Sequence, residues 1–297
     1  MLPTKLKPAF VLSVIIVILA TATSLGGLFI TGLYQDNNFV ESLWKPNDLV
    51  TLVVAVPMLV SALIFSRQGS QRAQLVWMAM LDYTLYNYAF YLFGSAFNWF
   101  FLLYVALFTL SIYALILGLV NIDVNKIGQN FREGTPVKWI SGYMLFVAAG
   151  LSTIYISQSL AFIATGKLPE IVLKTGHPTS VIFALDLSLL IPVFVLGAIW
   201  LWKRVPWGYV LATISIVKGT TYTLVLTVVA LWGNISGESE AMSEMPLWLV
   251  LTITGLVASL LLLGNLNQHS SRPFMARSQN FRGFSADEEH TAESTFE

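Results

Sequence analysis

Lys218 lies near the middle of an apolar segment that runs from Trp207 to Trp232. A helix of that length crosses a bilayer, and Lys218 then stands ~18 Å of helical rise from its basic end, close to the hydrocarbon midplane. A cation there costs at least ~2.5 to 3.5 kcal/mol on insertion scales, so it must face the interior of a helix bundle and find a partner. Asp82 and Asp186 are the acids that fall inside other apolar segments. Measured from the same side, Asp82 stands ~12 Å deep and Asp186 ~24 Å, so Lys218 lies between them in depth.

Two kinds of chemistry suit such a set. A carboxyl that titrates beside a fixed cation is the device of proton-coupled transport. The same three residues can also form a buried ion pair that fixes which helices sit together, with little net gain in stability. Around Asp82 the sequence adds Tyr83, Tyr86, Asn87 and Tyr91. Tyr83, Asn87 and Tyr91 recur every four residues and form one polar stripe on a helix, with Asp82 and Tyr86 on the neighbouring stripe. Lipid does not tolerate that stripe, so another helix or water must cover it. The candidate solute or ion pathway is therefore Asp82, Lys218, Asp186, Tyr86, Asn87 and Tyr222. Ser152, Tyr155, Gln158 and Ser159 form a smaller polar group that either lines a vestibule or bonds to neighbouring helices.

Composition defines the class of element that positions these residues. Apolar residues make up 56% of the 297 and charged residues only 11%, far below the ~25% of a soluble domain. Eight spanning helices are expected, at about 9–34, 48–66, 74–94, 98–120, 138–164, 178–202, 206–232 and 246–266. This predicts an all-α, polytopic transmembrane bundle over 1–266. The polar segment 267–297 reads as a disordered cytoplasmic tail.

Lys and Arg fall into alternate connections. Lys5, Lys7, Arg67, Arg72, Lys126, Arg132, Lys138, Lys203, Arg204, Arg272, Arg277 and Arg282 lie in one set, and Lys45, Lys167 and Lys174 in the other. The first set marks the cytoplasmic side, with both termini inside and the cell membrane as the expected location. Eight of the tryptophans fall near predicted segment ends, where indole suits the headgroup layer.

A repeat of four helices plus four is one arrangement the spacing allows. Pro46 and Pro178 stand in the predicted first turns of the second and sixth helices, Pro57 and Pro192 interrupt the same two, and Asp82, Thr84 and Tyr86 align with Lys218, Thr220 and Tyr222. Parallel repeats of this kind are a transporter architecture.

Other functions lack the residues they require. Cysteine is absent and net charge is zero, which removes thiolate chemistry and a basic field for nucleic acid. His177 is separated by the membrane from His269 and His290, so no histidine pair can bind haem or a metal. There is no G-x-S-x-G or H-E-x-x-H, and no catalytic residue, cofactor or metal is expected. The partners expected are the lipid bilayer and a small solute or ion, with the oligomeric state open. The alternatives to transport are a non-catalytic assembly or sensory protein built on a structural ion pair, and then an enzyme acting on lipid.

Overall fold

A computed structural model describes residues 4–235 and 239–267. The predicted tail from 268 onward lies outside the described residues. Eight long helices dominate the described residues: α1 Lys7–Phe29, α2 Asn38–Arg67, α3 Gln71–Gly94, α4 Phe101–Asn121, α5 Val137–Thr165, α6 Val181–Trp202, α7 Pro206–Ile235 and α8 Ser239–Asn265, with short helical turns at Thr4–Leu6, Val124–Gln129 and Glu170–Thr175. No strand forms among the described residues beyond one isolated bridge between Phe131 and Leu266.

Seven of the eight helices are long and apolar enough to cross a membrane, and α3 is the exception. By length and composition the count is seven where eight was expected, although α3 still runs between the same two ends of the bundle, and packing gives the reason it is less apolar. α3 packs against α2, α4 and α7, and sixteen of its 24 residues are buried. A helix enclosed by other helices needs no lipid-compatible surface, so it can carry Asp82, Asn87 and the tyrosines at the centre of the bundle.

α2 begins at Asn38, ten residues before the expected start. The Asn37 side chain accepts a hydrogen bond from the Val40 amide at 3.0 Å and caps the helix. Glu41 and Lys45 then pair at 2.7 Å on its outer side while Val40, Trp44 and Asn47 are buried. Pro46 stands inside this helix rather than opening it. α1 correspondingly ends at Phe29, earlier than residue 34, and the connection turns Leu33 and Tyr34 back into the core. α6 starts at Val181, where Ser180 caps it by accepting from the Phe183 amide.

Pro57 and Pro192 have the same local consequence. A proline lacks the amide that would bond four residues back, and its ring crowds that carbonyl. In α2 the preceding turn, Thr51–Ala55, widens to a π-helix, and the Val56 amide donates to the Thr51 carbonyl five residues back. In α6 the turn Asp186–Leu190 does the same, with Ile191 donating to Asp186. Thr84 donates to the Met80 carbonyl at 2.8 Å and Thr220 to the Ile216 carbonyl at 2.7 Å, the same bond to the preceding turn that Thr213, Thr221 and Thr227 make. α3 and α7, which carry the aligned residues, pack directly on each other.

The basic connections collect at one end of the bundle. Arg72 donates through Nε and Nη2 to the Leu266 carbonyl at 2.9 and 2.7 Å, where its charge also suits the C-terminal end of α8. Arg132 donates to the Asn267 side chain at 3.0 Å, Asn130 donates to Gln71 at 2.7 Å, and Phe131 stacks on Tyr209. At the opposite end, Asp36 accepts from the Ala96 amide at 2.8 Å, and Asn37 donates to the Lys174 and Thr175 carbonyls.

Candidate functional site

α3 positions side chains on two faces. On the face toward α6 and α7, Tyr86 is the hub. Its hydroxyl donates to Asp186 Oδ1, and Tyr155 from α5 donates to Asp186 Oδ2 at 2.7 Å. The Lys218 ammonium lies 3.6 Å from the centroid of the Tyr86 ring, a cation–π contact that strengthens where water is excluded. Tyr222, one turn along α7 from Lys218, meets the Tyr86 ring edge-on at 4.9 Å and stacks on Phe90 at 5.9 Å. Lys218 and Asp186 are 4% and 5% exposed, so both ionisable groups are enclosed within the protein.

Asp82 is one turn before Tyr86 on α3 and only half-buried. Both Asp82 and Asp186 attract Lys218 through space. The ion pairs formed among the described residues are Lys45 with Glu41 and Lys174 with Glu170, on the surface. The ammonium of Lys218 thus rests on an aromatic face, between two carboxylates that it does not touch.

On the face of α3 toward α2, the stripe expected from the sequence is covered by a helix. Asn47 donates to Asn87 at 2.8 Å, and the Thr51 and Tyr83 hydroxyls bond at 2.9 Å. Asn87 therefore belongs to this network and stands apart from Lys218. Tyr88 bonds to Thr23 at 2.6 Å and Trp77 donates to Ser13 at 2.7 Å, which fastens α1 to the same helix.

A third acid, Asp48, completes this region. It accepts from the Tyr34 hydroxyl and from the Tyr91 hydroxyl at 3.0 Å, and it is 2% exposed. Gly27 of α1 makes room for it: a Cβ at that position would collide with the Asp48 carboxylate and the Tyr34 hydroxyl. Tyr34 lies in the connection outside the spanning segments, and burial together with the nearby Asp48 carboxylate raises its proton affinity well above the ordinary phenol range. Asp48 and Tyr34 escape a reading of the sequence that spans 9–34 and 48–66, because both then stand at the outer edges of their helices rather than in the core. The signal that identifies them is the Asn37 cap followed by Val40, Trp44 and Asn47 at helical spacing.

No protein-family model matches the chain, and no curated protein or solved structure is similar to it, so any functional reading rests on this geometry. The apolar spans, enclosing a helix that carries charge and hydrogen-bonding groups, make the chain an integral, multi-pass α-helical membrane protein.

Proposed function

We propose that this protein moves a small solute or ion across the bilayer with coupling to protons, using Asp82, Lys218, Tyr86 and Asp186 as the pathway. The observation that carries the reading is the placement of Lys218 over the Tyr86 ring at 3.6 Å, with neither acid in direct contact. A pair kept only for assembly is expected to close, because two charges taken out of water recover their desolvation cost only through good contact geometry. A cation held between two carboxylates can instead favour one or the other, and a proton or a solute that neutralises either acid changes that balance. The half-buried state of Asp82 supports the same reading, since a group that exchanges protons needs access. The π-turns of α2 and α6 add local irregularity beside the acids, as at many functional sites in helices. The twelve basic residues on one set of connections support an orientation with both termini cytoplasmic and, with it, a place in the cell membrane.

A structural role for the charges competes, favoured by the two tyrosine hydroxyls that Asp186 accepts. The two readings separate in proteoliposomes of the purified full chain with an entrapped pH dye and an imposed pH gradient. Mixtures of amino acids, sugars and inorganic ions serve as probes. The expected result is proton movement driven by at least one mixture and lost in Asp82→Asn and in Lys218→Met, with both variants still folded. Movement no faster than in empty vesicles with every mixture overturns the transport reading.

A further inference from the structure

Asp48 lies outside the pathway proposed above, yet it is the most enclosed of the three acids within the bundle. We infer that Asp48 is a separate proton-binding site, loaded at the end of the bundle covered by Tyr34, with Tyr91 as its proton-exchange partner.

Among the described residues no cation pairs with Asp48; Lys45, one turn before it on α2, pairs with Glu41 instead. Tyr34 from the α1–α2 connection and Tyr91 from α3 donate to it. Tyr83 and Tyr88 of α3 and Tyr104 of α4 lie close enough to act on it electrostatically. Asp36, an acid at the same end of the bundle, is held by the Trp44 indole at 3.1 Å and by the Ala96 amide. The α1 surface facing it is Gly27, and the one charge of α7, Lys218, acts on Asp82 and Asp186. A carboxylate buried among phenols with no counter-charge is costly, and taking up a proton removes that cost.

The site has the parts for both protonation states. The Tyr91 hydroxyl lies 3.0 Å from Asp48 Oδ1 and 3.4 Å from the Trp44 carbonyl. With Asp48 ionised, Tyr91 donates to the carboxylate. When a proton arrives on Oδ1, the carboxyl O–H donates to the Tyr91 oxygen, and the Tyr91 proton turns to the Trp44 carbonyl. A hydroxyl donates and accepts at once, so the exchange leaves no donor unpaired and breaks no covalent bond other than that of the transferred proton. Tyr34, by contrast, is a donor to the carboxylate from a connection outside the spanning segments. It covers the carboxyl and must move for a proton to enter from that end.

Infrared spectroscopy of the purified full chain tests this without any transport assay, so it stands or falls separately from the proposed function. A protonated buried carboxyl gives a carbonyl stretch that a carboxylate lacks. The expected result is one such band in the wild type that is lost in Asp48→Asn and kept in Asp186→Asn. In Tyr34→Phe, which removes one donor to the ionised form, the band is expected to persist to higher pH. If Asp48→Asn removes no band at any pH at which the protein is folded, the proposal is overturned. Should that variant fail to fold, an unchanged pH profile of the band in Tyr34→Phe overturns it instead.

Discussion

Toward α2, α3 presents polar groups that hydrogen bonds satisfy one by one; toward α6 and α7, it presents charges that meet no opposite charge directly. In the first region Asn47, Asn87, Thr51 and Tyr83 bond among themselves. In the second, Lys218 rests on the Tyr86 ring while Asp82 remains half-buried. A single helix carries both, and the contrast separates groups that hold the bundle together from groups free to change partner. The first region should therefore resist substitution through stability, and the second should tolerate it in stability while losing function.

The largest effect is expected at Gly27. Gly27→Val places a branched side chain where the Asp48 carboxylate and the Tyr34 hydroxyl lie, and overpacking of this kind costs about 1 to 3 kcal/mol. Thermal unfolding in detergent should show a clear fall in midpoint, and an unchanged midpoint would mean that α1 does not approach α2 as closely as described. Next comes Asn87→Ala, which leaves the Asn47 amide without its 2.8 Å acceptor. Interhelical hydrogen bonds within membranes contribute roughly 0.6 to 1.7 kcal/mol, and denaturant titration should show a loss in that range.

The charged region should give a smaller response. Asp82→Asn removes a carboxylate with no direct partner, so its stability cost is expected below about 1 kcal/mol, as for exposed ion pairs. A double-mutant cycle with Lys218→Met should return a coupling energy of similar size. Coupling of several kcal/mol would make the pair structural and erase the contrast between the two faces. Finally, at neutral pH Tyr34 should contribute nothing to pH dependence. Its raised proton affinity keeps the folded phenol neutral, while the unfolded phenol ionises above pH ~10. The unfolded state then binds fewer protons than the folded one, so stability falls as pH rises past that point, by up to about 1.4 kcal/mol per pH unit. In Tyr34→Phe that part of the alkaline slope should vanish, which stability measurements above pH ~10 would register.

Much of the architecture is legible in the chain itself. Long apolar runs, few charges and Lys and Arg concentrated in alternate connections point to a multi-pass helical bundle, because hydrocarbon admits only structures whose backbone groups bond internally. The same reasoning marks Lys218, Asp82 and Asp186 as residues that need explaining, since each stands where charge is costly. The four-residue spacing of Tyr83, Asn87 and Tyr91 also shows that α3 must be covered.

What covers α3, and which partner each polar group takes, was decided by tertiary structure. Periodicity places Asn87 and Tyr86 on adjacent stripes but does not say that one meets Asn47 and the other meets Asp186 and Lys218. A proline at position 46 reads as a helix start by local rules, and the Asn37 cap with the packing of Trp44 overrides it, which moves Asp48 from the edge of the expected helix into the core. Local sequence determines where a helix can form and which of its faces avoids lipid. Whether a buried charge meets an opposite charge, a hydroxyl or an aromatic ring depends on helices distant in sequence, and only their packing brings those groups within reach.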